Sequence, residues 1–180
     1  MTQFITDEIL EKVAIQRKRL LINYFVMLGI YLFICVGLLL WYWTLPFGSP
    51  VIDTVKWIMY PLTVVFIFIS FVYLCIPYKR VNCFYTMCYH VRNSKHDYYE
   101  GYFFDYDPSL QNKDGVDYKS LIFIEWNKYK KVNFERRVLV PYEMEFPQIP
   151  KKAKVSYGTQ ANVLCEYEIL STEEKDQWKQ

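Results

Sequence analysis

The chain has 180 residues, 53% of them apolar and 19% aromatic, with 22% charged and a formal net charge of +2. The length excludes a large multidomain enzyme, the near-neutral balance gives no basis for nucleic-acid binding, and the apolar content excludes a disordered chain. The charges are segregated, since none falls between Leu20 and Ile52 or between Trp57 and Tyr78.

Residues 1–19 place Ile9, Leu10, Val13, Ala14 and Ile15 at roughly helical spacing, with Thr6 as N-cap and Asp7 and Glu8 in the first turn. They predict a cytoplasmic amphipathic helix whose basic end, Arg17 to Arg19, meets anionic headgroups. Residues 20–43 and 57–78 follow as two charge-free runs, each long enough at about 1.5 Å per residue to cross a hydrocarbon layer of about 30 Å. Apolar residues cover every face of both runs, so a soluble core large enough to bury them would exceed what the rest of the chain supplies. A cleaved signal peptide fits badly, because bulky Trp41, Tyr42 and Trp43 stand where small residues are needed.

Lys12, Arg17, Lys18 and Arg19 precede the first run, and Lys79, Arg80, Arg92 and Lys95 follow the second. The positive-inside rule then puts both termini in the cytoplasm of a multi-pass protein, with a bacterial cell membrane as the expected location. Residues 44–56 become a short external loop in which Ser49 caps the second helix and Pro50 takes its first position. Within the bilayer the polar or semi-polar members are Asn23, Thr63, Ser70, Cys35 and Cys75, which counts against a self-sufficient transporter. Gly29, Gly37 and Pro61 would mark close helix packing, and Pro77 is expected to end or kink the second helix.

Residues 79–96 repeat apolar side chains at Val81, Phe84, Met87, Cys88 and Val91, predicting an amphipathic connector helix on the membrane surface, with a strand as the alternative. From Asp97 the periodicity becomes two, and residues 97–171 predict a cytosolic β domain. Its expected strands are 98–106, 118–126, 132–140, 153–157 and 162–170, with turns at Asp107-Pro108, Asp114-Gly115, 127–131, 147–152 and 158–161. Five strands suit a small SH3-like or OB-like barrel, which leaves few exposed edges. Val138, Val140, Val163, Cys165, Tyr167 and Ile169 are expected to point inward, and Glu166 and Glu168 outward near Arg136. Residues 172–180 form a charged tail. The β segment is expected to fold in water on its own.

Candidate sites are few. Cys83, Cys88, His90 and His96 form the one metal-like cluster, but Cys83 and Cys88 diverge by about 500° around a helix. Asp105, Asp107, Asn112, Asp114 and Asp117 lack the glycine that a calcium loop needs, since Leu110 stands in its place. No catalytic, cofactor or metal residue is assigned, and no cofactor is expected. Lys128, Lys130 and Lys131, interleaved with Trp126 and Tyr129, form the candidate contact with a membrane surface or a partner.

Two membrane helices followed by a small cytosolic barrel resemble in outline uncharacterised bacterial membrane proteins and the NfeD group, in which membrane helices precede an OB-like domain. The glycine-rich barrel pattern of that group is not matched, because Gly101, Gly115 and Gly158 are the only glycines after the membrane runs. No residue or activity is therefore carried over. The expected function is that of a non-enzymatic membrane protein whose barrel is an interaction or assembly module, bound to the lipid bilayer and to a second copy or a larger membrane protein. The alternatives are an oligomeric pore or transporter accessory subunit, and a membrane-bound enzyme using the cytosolic Cys and His residues.

Overall fold

A computed structural model of the chain describes residues 2–46, 48–127 and 130–171. The chain divides into two compact units, Val13–Asn82 and the sequence flanking it on both sides.

In the helical unit, α1 (Asp7–Thr44, its first turns outside the unit) and α2 (Val51–Tyr73) are joined by a turn shorter than the expected loop. The second helix begins six residues before Trp57 because Ser49 sets up its start: the Ser49 carbonyl accepts the Ile52 N–H at 3.1 Å and its Oγ accepts the Val51 N–H at 3.4 Å. Pro50 therefore stands just outside the helix rather than at its first position. The two helices run antiparallel, since Tyr73 donates its hydroxyl to the Leu20 carbonyl at 3.1 Å while Tyr31 meets Thr63 at 3.0 Å. Thr63 spends its one hydroxyl hydrogen on the Met59 carbonyl at 2.9 Å, so Tyr31 is the donor in that pair, and its ring stacks on Phe66 at 4.0 Å. Neither Gly29 nor Gly37 has a neighbour within 4 Å of where a Cβ would stand, so these glycines do not mark the contact between α1 and α2.

Pro77 does not end the second helix. Residues Leu74–Tyr78 form a π turn, whose wider ladder accommodates a residue that lacks an N–H, and the helix continues as α3 (Lys79–Asn93). The helical reading of the connector thus holds over the strand reading, and the helix stops before Ser94.

The other unit is a closed barrel. Its strands are β2 (Asp97–Lys113), β3 (Val116–Asn127), β4 (Val132–Pro141), β5 (Lys154–Gln160) and β6 (Val163–Ser171), in ring order β6-β4-β3-β2-β5 and back to β6. The expected Asp107-Pro108 turn is absent. β2 runs on through it with a register shift between Asp107 and Gln111, and the reversal comes at Asp114-Gly115, where φ values of 54° and 79° make a tight hairpin turn. An unforeseen strand, β1 (Thr2–Gln3), pairs with β6 at Tyr167 and Glu166, and Phe4 extends the pairing by donating its N–H to the Cys165 carbonyl at 2.8 Å.

Side chains from both faces of the barrel wall are buried. Phe103, Leu121, Phe123, Val138, Val140, Val155, Tyr157 and Leu164 fill the interior, where each large side chain contributes about 1.5–3 kcal/mol. On the opposite face Val116, Tyr118, Leu139, Val163 and Cys165 are covered by Ile5 and by Cys88 and Val91 of α3, with Leu10, Cys83, Phe84 and Met87 packed around them. This corrects two expectations. The apolar stripe of the connector helix covers the barrel instead of lying on lipid. In β6 it is Leu164, not Val163 and Cys165, that enters the interior, while Ile169 is exposed. Apolar residues on successive positions hid which face was which.

Candidate interaction surface

The polar residues of the barrel gather at two places. In the interior, Glu125 of β3 accepts the hydroxyl of Tyr157 of β5 and faces Arg136 of β4, whose Nε lies 2.7 Å from Oε1 without aligned hydrogen-bond geometry. The Arg136 guanidinium sits 3.8 Å above the Tyr99 ring and 5.8 Å from that of Phe134. Burial and the Glu125 carboxylate both raise the Tyr157 phenol above its ordinary value, so it remains a donor. A carboxylate, a guanidinium and a phenol thus meet inside an aromatic wall, joined by one hydrogen bond and one ion pair, and the group is structural polar filling.

The second place is the junction of α3 with β2. His96 has Nε2 2.8 Å from the Val91 carbonyl and Nδ1 3.3 Å from Glu166, and Tyr98 donates its hydroxyl to the same Glu166 oxygen at 2.6 Å. The Tyr98 hydrogen bond, then that of His96, holds the Glu166 carboxyl below its usual range. Glu166 is therefore not paired with Arg136 as expected. It lies at Gly158, where a Cβ would come within 3.1 Å of its own Cγ.

Arg92 adds a strap close by, donating to both carboxylate oxygens of Asp7 at 2.8 and 2.9 Å and to Gln3 at 2.9 Å. It ties the first turn of α1 and the end of β1 to the last turn of α3.

Of the residues expected to make contacts, Trp126 stands next to the end of β3 with 58% exposure, and Lys130 and Lys131 are exposed in the β3–β4 turn. The Lys130 N–H is fixed by Asn127 Oδ1 at 3.1 Å, and Lys131 takes a φ of 49°. Lys128 and Tyr129 lie outside the described residues. The strand that follows was expected, but sequence reasoning missed its open edge. Val132, Asn133, Phe134 and Glu135 are all exposed, and β4 meets β6 only at Leu139 and Val163. Among the described residues no strand pairs with the far edge of Val132–Val138. The signal was present in the alternation of Val132 and Phe134 with Asn133 and Glu135, but nothing in it distinguished an arm from a wall.

Cys83, Cys88, His90 and His96 do not converge: Cys88 is buried, Cys83 packs near Gly115, His90 is exposed and His96 turns to Glu166. Among the described residues no group of three or more His, Cys, Asp or Glu side chains is placed to hold a metal ion. The aspartates of β2 are engaged locally, Asp105 with Lys151 at 2.9 Å and Asp107 with the Ser109 N–H at 3.0 Å. No protein-family model, curated protein or solved structure matches the chain.

Proposed function

We propose that the chain is a non-enzymatic integral membrane protein in which α1 and α2 form a transmembrane hairpin and the barrel serves as a cytosolic interaction and assembly module. The supporting observation is that two helices are long and apolar enough to cross a membrane, and their most apolar stretches are not buried by protein. Phe33, Trp43 and Phe68 show the scale, being 82%, 84% and 68% exposed. The pairing of β1 with β6 supports an even number of crossings, since the stretches before α1 and after α2 share one sheet. Lys and Arg at both flanks favour the cytosolic side.

Of the two barrel types, the strand order supports the OB-like one: the first barrel strand pairs with the second and fourth, and the third meets the fifth in parallel, a Greek-key path rather than a meander. Against the enzyme reading, burial pushes the Cys88 and Cys165 thiols up to about 12, the opposite of an activated nucleophile. The pore or accessory-subunit reading draws on Gly29 and Gly37, whose open faces would admit the backbone of another helix.

Membranes carrying the full chain should retain it through an alkaline carbonate wash and release it only to detergent. Protease added to sealed, right-side-out cells should leave the barrel intact. Extraction by carbonate alone, or cleavage within residues 97–171 from outside, overturns the reading.

A further inference from the structure

The exposed edge of β4 has the composition of a self-pairing strand. Val132 and Phe134 are 58% and 37% exposed on one face of the arm, and Lys131 and Glu135 flank them with no ion-pair partner among the described residues. An unpaired edge with apolar side chains invites another strand, and native proteins leave one open chiefly where it is used.

We infer that this edge binds a second copy of the chain, β4 against β4, antiparallel about a twofold axis through Asn133. The inference deepens the assembly-module reading and rests on it. In an antiparallel pair with Asn133 opposite Asn133, Val132 of each copy faces Phe134 of the other, and the long side chain of Lys131, in the turn just before the strand, stands at the level of Glu135 of the other. One register therefore covers the exposed apolar pair and joins opposite charges twice. Moving the axis to Glu135 would set two carboxylates face to face, and moving it to Arg136 would oppose two guanidiniums. Each alternative lacks the charge match. The edge's own hydrogen-bonding groups supply the ladder between the copies.

The test uses the full-length chain in detergent. Native mass should give a dimer. Glu135→Lys and Lys131→Glu should each shift it to monomer by setting like charges opposite, and the double exchange should restore the dimer. Asn133→Cys should form an intermolecular disulfide under mild oxidation, because residues opposite across such a pair lie within bridging distance, whereas Glu135→Cys should not. A chain that needs detergent yet stays monomeric overturns the β4 pairing while leaving the membrane reading intact. A dimer unmoved by either charge reversal, or bridged equally at positions 133 and 135, also overturns it.

Discussion

At the scale of single residues, the Glu125–Arg136–Tyr157 group sets a clear expectation. Removing one partner of a buried pair leaves the other charge unmatched and costs about 3–5 kcal/mol, whereas replacing both with apolar groups of similar volume costs far less. Glu125→Ala should therefore lower the melting temperature steeply, and Glu125→Leu with Arg136→Met should recover most of the loss in thermal denaturation. The group was not legible beforehand, because its members stand on three strands and Tyr157 comes from β5, which pairs with neither β3 nor β4. Glu166 makes a different prediction. Its carboxyl is held below the ordinary value in the folded chain, so its stabilising effect is present above the unfolded Glu value, near about 4.3, and is lost as pH falls through the lower folded value. Urea melts across that acid range should show stability dropping, and Tyr98→Phe should flatten the drop. An unchanged slope would mean that the Tyr98 hydrogen bond does not set the carboxyl.

At the scale of elements, the β strands after Asp97 were largely legible, because alternation of period two combines with turn chemistry such as Asp114-Gly115. What failed was the inward face of β6. Val163, Leu164 and Cys165 are apolar in succession since helix α3 covers one side of the wall and the interior claims the other. Helix α3 was legible as an amphipathic helix, but periodicity says only that a face is covered, never by what. The glycines separate two cases. At Gly115 a Cβ would strain a φ of 79° and approach Cys83 Sγ to 3.1 Å, and at Gly101 it would approach the Ile124 carbonyl oxygen to 3.1 Å. Gly115→Ala should cost about 1–2 kcal/mol and Gly101→Ala should disturb the β2–β3 pairing, both visible as lowered melting temperatures. Gly29→Ala and Gly37→Ala, with open space around them, should leave the monomer's stability intact. Helix α3 also revises the expectation for the β segment alone. A fragment spanning 97–171 exposes Val116, Tyr118, Leu139 and Val163 once α3 is missing. It should bind a hydrophobic dye and melt below a fragment spanning 83–171. Equal melting of the two would mean that the α3 cover adds nothing.

At the scale of the whole molecule, the division into two units shows the helical hairpin as an insertion within the barrel domain rather than a neighbour preceding it. The two apolar runs were the most legible feature of all, because charge-free stretches of that length have few alternatives. That the stretch up to and including Lys12 belongs with the barrel was not, because a two-residue strand carries no periodicity. Its pairing has a consequence for biosynthesis. Thr2 and Gln3 are made before the helical hairpin, while their mates Glu166 and Tyr167 are made after it, so the leading segment must wait unpaired while the hairpin and most of the barrel are synthesised. Any bulky fusion placed ahead of Thr2 would burden that wait, and a tag is better carried at the other terminus.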